Sequence, residues 1–145
     1  AAGARLAGAL AGGDVLALVG ELGAGKTTFA AGLVAALGGD GAHSPTFSLV
    51  HEYTGGRLIV WHVDLYRVER AAELPELGLD ELIGDPRGVV IVEWADRFGV
   101  VPPDHVRIDL HHAGAGRALA AIGTGPRGRV LAGAVDGPGG QRVDI

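Results

Sequence analysis

Cysteine is absent from the 145 residues, which excludes disulfides and thiolate metal sites and fits a cytosolic protein. Aromatic residues are scarce, with 2 Trp, 2 Tyr and 3 Phe, so a core must be built mainly from Ala, Val and Leu. No apolar run approaches the ~20 residues of a membrane span. No charged segment followed by a long apolar run opens the sequence, so no signal peptide is expected either. Basic charge is also short. The net charge is −5 with the arginines scattered, whereas a protein that grips nucleic acid usually presents a basic face. Tight direct binding of RNA or DNA is therefore disfavoured. Lysine is rarest among the charged residues, with Lys26 alone against 11 arginines.

That one lysine lies inside the most informative stretch of the chain, Gly20-Glu21-Leu22-Gly23-Ala24-Gly25-Lys26-Thr27-Thr28. The spacing is that of a P-loop: a glycine, four residues, then Gly-Lys-Thr. With 26 Gly in the chain, this match arises by chance roughly once in seven hundred chains of the same composition. Its surroundings fit as well. Val15-Leu16-Ala17-Leu18-Val19 reads as a buried parallel strand, and Lys26 to Leu37 as an Ala- and Leu-rich helix stopped by Gly38-Gly39.

The chemistry follows from the residue types. Gly20, Gly23 and Gly25 permit backbone angles that let successive N–H groups, Ala24 among them, turn inward on phosphate oxygens. The helix start through Thr27 and Thr28 adds unpaired donors and a partial positive charge. Lys26 is expected to reach the β- and γ-phosphates, and the Thr27 hydroxyl to ligate Mg²⁺. An arginine fork is no equivalent for a slim ammonium in such a nest, which fits the survival of one lysine here.

The remainder reads as one α/β domain over residues 1–135, followed by a flexible tail over 136–145. A short helix is expected at residues 4–11 and a Gly-rich loop at 38–45. Two β-runs, 46–53 and 57–65, flank Gly55-Gly56, a good two-residue hairpin turn. With that turn Phe47 faces Asp64 and Thr46 lies opposite Leu65. Thr46 and Asp64 then meet at the hairpin's open end, and His62 shares a face with Asp64. Short helical turns are expected at 71–83, where Pro75 and Gly78 interrupt the pattern. Gly88 to Trp94 reads as a second buried parallel strand with Glu93 at its C-terminal end, where open α/β sheets bind ligands. Strands follow at 106–111 and 118–122, with Gly-rich turns at 113–116 and 123–128 and a last helix or strand at 129–135.

Glu93 and Asp64 are the candidate acids. Glu93 could hold Mg²⁺ through water or orient the attacking water, and Asp64 competes for the magnesium role. Thr46 could sense the γ-phosphate, as switch residues do. Arg67 is better read as the partner of a nearby acid than as a phosphate ligand. The histidines show no i, i+4 helical pair, so a zinc site is not expected. Gly114-Ala115-Gly116 lacks the third glycine of a dinucleotide fingerprint, and no serine sits on a nucleophile-elbow pattern. No Asn-Lys-x-Asp stretch selects guanine, which leaves ATP as the default nucleotide. Competing classes are a P-loop small-molecule kinase, disfavoured because residues 71–87 are acidic rather than Arg-rich, and a nucleotide-gated binding module.

Four blocks occur together and in order: residues 20–28, Ser44-Pro45-Thr46-Phe47-Ser48-Leu49-Val50-His51-Glu52-Tyr53, His62-Val63-Asp64-Leu65-Tyr66-Arg67, and Val90-Ile91-Val92-Glu93-Trp94. In these the chain resembles the bacterial TsaE (YjeE) family of small P-loop ATPases over roughly residues 4–110. The resemblance implies a P-loop NTPase-like three-layer α/β sandwich with a mixed, mostly parallel sheet and a β-hairpin after the P-loop helix. It also implies a cytoplasmic, Mg²⁺-dependent ATPase, weak alone, required for threonylcarbamoyladenosine at tRNA position 37. Such a protein acts with TsaD and TsaB, and the partners rather than this chain hold most of the tRNA. By the same resemblance Lys26 and Thr27 bind phosphate and Mg²⁺, Thr46 and Asp64 form a switch-like site, and Glu93 serves metal binding or hydrolysis. Trp94 is placed near the nucleotide or partner face. Family members usually carry a further strand, with a Thr near the base, before the first helix; the sequence begins without it, and no base-contacting residue is assigned.

Overall fold

The computed structural model describes residues 2–20, 26–43, 50–65, 68–70, 72, 74–75, 78–94, 98–113, 116–136 and 143–144. The elements run α1 (Ala2–Ala9), β1 (Val15–Gly20), α2 (Lys26–Ala36), β2 (Asp40–His43), β3 (Val50–Thr54), β4 (Ile59–Asp64), α3 (Leu79–Leu82), β5 (Gly88–Glu93), β6 (His105–Ala113), β7 (Gly116–Thr124), α4 (Gly125–Asp136) and β8 (Val143–Asp144). The strands form one sheet in the order β2-β3-β4-β5-β1-β6-β7-β8. Its centre, β4-β5-β1-β6, is parallel, and antiparallel pairs extend it on both sides. Only β3 and β7 run against the common direction.

Sequence pattern decides which faces are covered. β1 and β5 are apolar without alternation because both of their faces are buried. On one face, Leu16, Leu18, Ile91 and Ile108 pack under α1, α2 and α4. α2 meets them with Phe29, Leu33 and Leu37 one turn apart, a helical stripe seated on the sheet. On the other face, Val15, Ala17, Trp61, Val63, Val90 and Val92 are covered by Leu74, the short α3 and residues 98–101. Among the described residues that third layer is thin, as Pro75 and Gly78 foreshadow.

The chain differs from the sequence expectations where distant contacts take over. The stretch read as a loop at 38–45 contains β2, which pairs with β3. In the hairpin, Val50 faces Val63 rather than Trp61, a shift of two positions that leaves every side chain on its expected face. The cause lies in the turn, which extends over residues 55–58. Arg57 N–H donates to Leu37 O at 2.8 Å, and its guanidinium reaches Ala7 O and Leu10 O at 2.6 and 3.0 Å, closing the end of α1. Gly56 lies so close to the end of α2 that an added Cβ would stand 2.4 Å from Leu37 O. Phe47 and Thr46, expected to face Asp64 and Leu65, lie outside the described residues.

The expected turn at 123–128 is instead the end of β7 and the first turn of α4. Pro126 suits a helix start, and the Asp104 carboxylate accepts the Gly128 and Arg127 N–H groups at 2.7 and 3.2 Å. Residues 129–135 are helical, with Leu131, Ala132 and Val135 buried. At the expected turn over 113–116, β6 continues to Ala113 and β7 starts at Gly116; residues 114–115 lie outside the described set. Within the segment read as a flexible tail, Val143–Asp144 pairs with β7 as an edge strand.

Asp104→Ala removes a cap supplied from outside the helix, and the expected loss is about 1–2 kcal/mol of unfolding free energy. Urea titration followed by circular dichroism measures it; an unchanged midpoint would show that α4 does not rely on this carboxylate.

Candidate functional site

The C-terminal ends of β1, β4 and β5 lie side by side. In register, Leu18 of β1 pairs with Glu93 of β5, and Glu93 pairs with Asp64 of β4. Strand alternation sets Leu18, Glu93, Ile91, Asp64 and His62 on the face that carries α2. The acids predicted from sequence therefore share one end of one face, next to the end of β1.

Lys26 is the first residue of α2 and is buried, with 6% of its surface exposed. Its Nζ donates to Gly20 O, the last carbonyl of β1, at 2.6 Å. The ammonium also sits 4.7 Å from the centroid of the Trp94 ring, within reach of a cation–π attraction. Trp94 follows Glu93 directly and has φ +61°, the left-handed region that bulky residues avoid. Its N–H donates to Leu18 O at 3.3 Å, so β1 holds the backbone of this turn while Lys26 meets its ring.

Glu93 is 5% exposed, and its Oε2 lies 2.5 Å from His62 Nε2. An ionised carboxylate only accepts, so against ionised Glu93 the Nε2–H tautomer of His62 would be the donor. The sequence set His62 on the Asp64 face but gave it no task. The missing signal was topological, since His62 reaches Glu93 only because β4 lies next to β5. Asp64 is half-buried at the end of β4. Thr28 is exposed in the first turn of α2, which also contains the backbone of Thr27. The side chain of Thr27, residues 21–25 with Gly23, Ala24 and Gly25, and Thr46 and Arg67 lie outside the described residues. Among the described residues, no group of three His, Asp or Glu side chains could hold a metal alone.

Strand β1 ending at Gly20 and helix α2 starting at Lys26, joined by the Gly-rich sequence of residues 21–25 at the end of a parallel sheet centre, define a P-loop NTPase-like α/β protein. The crystal structure of Bacillus subtilis YdiB superposes with a TM-score of 0.72 and 34% sequence identity, over 93% of this chain and 85% of that one. The family model described as "Threonylcarbamoyl adenosine biosynthesis protein TsaE" matches residues 1–119. The protein named tRNA threonylcarbamoyladenosine biosynthesis protein TsaE from Bacillus subtilis is 44% identical over 104 residues, 70% of this chain and 64% of that protein. The protein of the same name from Nostoc is 39% identical over 124 residues, 83% of this chain and 76% of that one. The chain belongs to the TsaE family.

A double-mutant cycle with Lys26→Met and Trp94→Leu, read by chemical unfolding without nucleotide, is expected to give a favourable coupling of about 0.5–2 kcal/mol. Additive effects would show that ring and ammonium do not support each other.

Proposed function

We propose that this chain binds and hydrolyses ATP with Mg²⁺ in the cytoplasm, in support of threonylcarbamoyladenosine formation at position 37 of tRNAs that read codons starting with A. We further propose that it acts with TsaD and TsaB. The observation that carries the reading is the buried Lys26 ammonium at the start of α2, bonded to the last carbonyl of β1, with the buried Glu93 carboxylate at the end of the adjacent strand.

A lysine donating to the last carbonyl of β1 stands where a triphosphate lying over the helix start would meet it. Gly20, Gly23, Ala24, Gly25, Thr27 and Thr28 would supply the surrounding N–H groups, and Thr46 would face the γ-phosphate. The donor chemistry near the strand ends fits magnesium. Asp64, Glu93 and the Thr27 hydroxyl offer hard oxygens, and Mg²⁺ is commonly held by one or two protein oxygens plus phosphates rather than a full protein cage. Asp64 and Thr27 would hold the metal, which would supply neutralisation of phosphate charge. The carboxylate held by His62, Glu93, would orient the attacking water. In hydrolysis the water oxygen bonds to the γ-phosphorus, the bond to the β,γ-bridging oxygen breaks, and the released proton ends on the phosphate product.

The net charge of −5 supports contact with tRNA through partners. Arginines engaged inside the fold point the same way: Arg57 and Arg127 donate to carbonyls at the end of α1, and Arg127 also pairs with the buried Asp14. No described helix is long and apolar enough to cross a membrane.

ATP turnover measured with and without TsaD and TsaB tests the proposal, and stimulation by the pair is the expected result. Phosphorylation of a small acceptor would favour a kinase, and tight binding without turnover a nucleotide-gated module. Lys26→Ala is expected to abolish Mg-ATP binding by calorimetry, whereas Glu93→Ala lowers turnover about 100-fold with binding changed severalfold at most. Equal loss of binding in both variants would contradict the separate roles.

A further inference from the structure

As the residue proposed to orient the attacking water, Glu93 must itself be held in one orientation. The imidazole of His62 answers that. Its side chain is 11% exposed, and Nε2 lies 2.5 Å from Glu93 Oε2. It stands on β4 level with Ile91, two positions before Asp64 on the same face. A residue needed only to fill this space would be better aliphatic, as Val60 is on the same strand and face. A nitrogen pointing at the neighbouring carboxylate does something that packing alone does not require.

A glutamate has three side-chain torsions, so a carboxylate at a strand end sweeps a wide arc unless something holds it. An N–H donor on a sheet strand fixes Oε2. The planarity of the carboxylate then fixes the direction in which Oε1 is presented. Groups that align a water need placement to within about 0.5 Å, and a misplacement of about 1 Å can lower a rate by about 100-fold. Sheet strands are rigid enough to supply that placement, and β4 and β5 are hydrogen-bonded neighbours in the centre of the sheet.

We propose that His62 is a positioning residue whose Nε2–H holds the Glu93 carboxylate in the orientation that serves hydrolysis, an inference that rests on the ATPase reading. His62→Leu is close in volume and has no donor, whereas His62→Gln retains one. With TsaD and TsaB present, His62→Leu should lower kcat about 10- to 100-fold while the calorimetric Kd for Mg-ATP stays within about threefold. His62→Gln should recover kcat to within about fivefold of wild type, and on a Glu93→Gln background His62→Leu should change kcat by no more than about twofold. If His62→Leu fails to fold, His62→Ala takes its place. Two results would overturn the inference alone: wild-type turnover with His62→Leu at more than about half its rate, or a Gln variant as slow as the Leu variant with binding intact. A wild type that binds Mg-ATP but never turns it over would overturn the ATPase reading first, and this inference with it.

Discussion

Burying a charge costs several kcal/mol unless partners replace the water it loses, and that constraint shapes the site. β1 and β5 are covered on both faces, so their interiors admit only Val, Leu, Ile and Ala. Polar groups are displaced to where the strands end. There Lys26 and Glu93 are still buried, and each has a partner: Gly20 O and the Trp94 ring for the ammonium, His62 Nε2 for the carboxylate. The same coverage that stabilises the sheet thus gathers these buried charged groups at one end and holds them in place.

Arginine does a different job in this chain. Arg57 and Arg127 donate to carbonyls at the end of α1, and Arg127 joins them to Asp14, whose own Oδ2 accepts the Ala11 N–H. Arg5 donates to Val135 O near the end of α4. A planar fork with five donors suits several carbonyls and a carboxylate at once. These guanidiniums tie α1, α4 and the hairpin turn together, which lets a short Ala-rich helix seat its few large side chains on the sheet. Arg87 with Asp85 is a contrasting case: exposed and local, it lowers the Asp85 pKa through hydrogen bonds without binding distant elements.

What could be read from the sequence divides along this line. β1, α2 and β5 were legible because their cause is local: an unbroken apolar run or a helical stripe states its own burial. The strand-end positions of Glu93 and Asp64 and the helix-start position of Lys26 were legible because each marks the boundary of such an element. β2, the hairpin register and the start of α4 were not, because their causes are distant in sequence. The Arg57 N–H is taken by Leu37 O, and α4 is capped by Asp104 from the far side of a hairpin. His62 failed for a related reason. Alternation placed it on the right face, but only the order of strands in the sheet could give it Glu93 as a neighbour.

Glu93 and Trp94 are consecutive, yet four elements converge on them: β4 through His62, β1 through Leu18 O, α2 through Lys26, and β5 itself. A left-handed backbone at a bulky residue costs about 1–2 kcal/mol, and a desolvated cation over an indole returns about the same amount. The two effects are of similar size, so the position of the Lys26 ammonium bears directly on the turn that closes β5. An anion drawing that ammonium off the ring would remove the compensation at Trp94 while His62 continued to hold Glu93. The carboxylate and the indole, although on consecutive residues, are thus held by separate partners: one by His62 on the rigid centre of the sheet, the other by the Lys26 side chain at the start of α2.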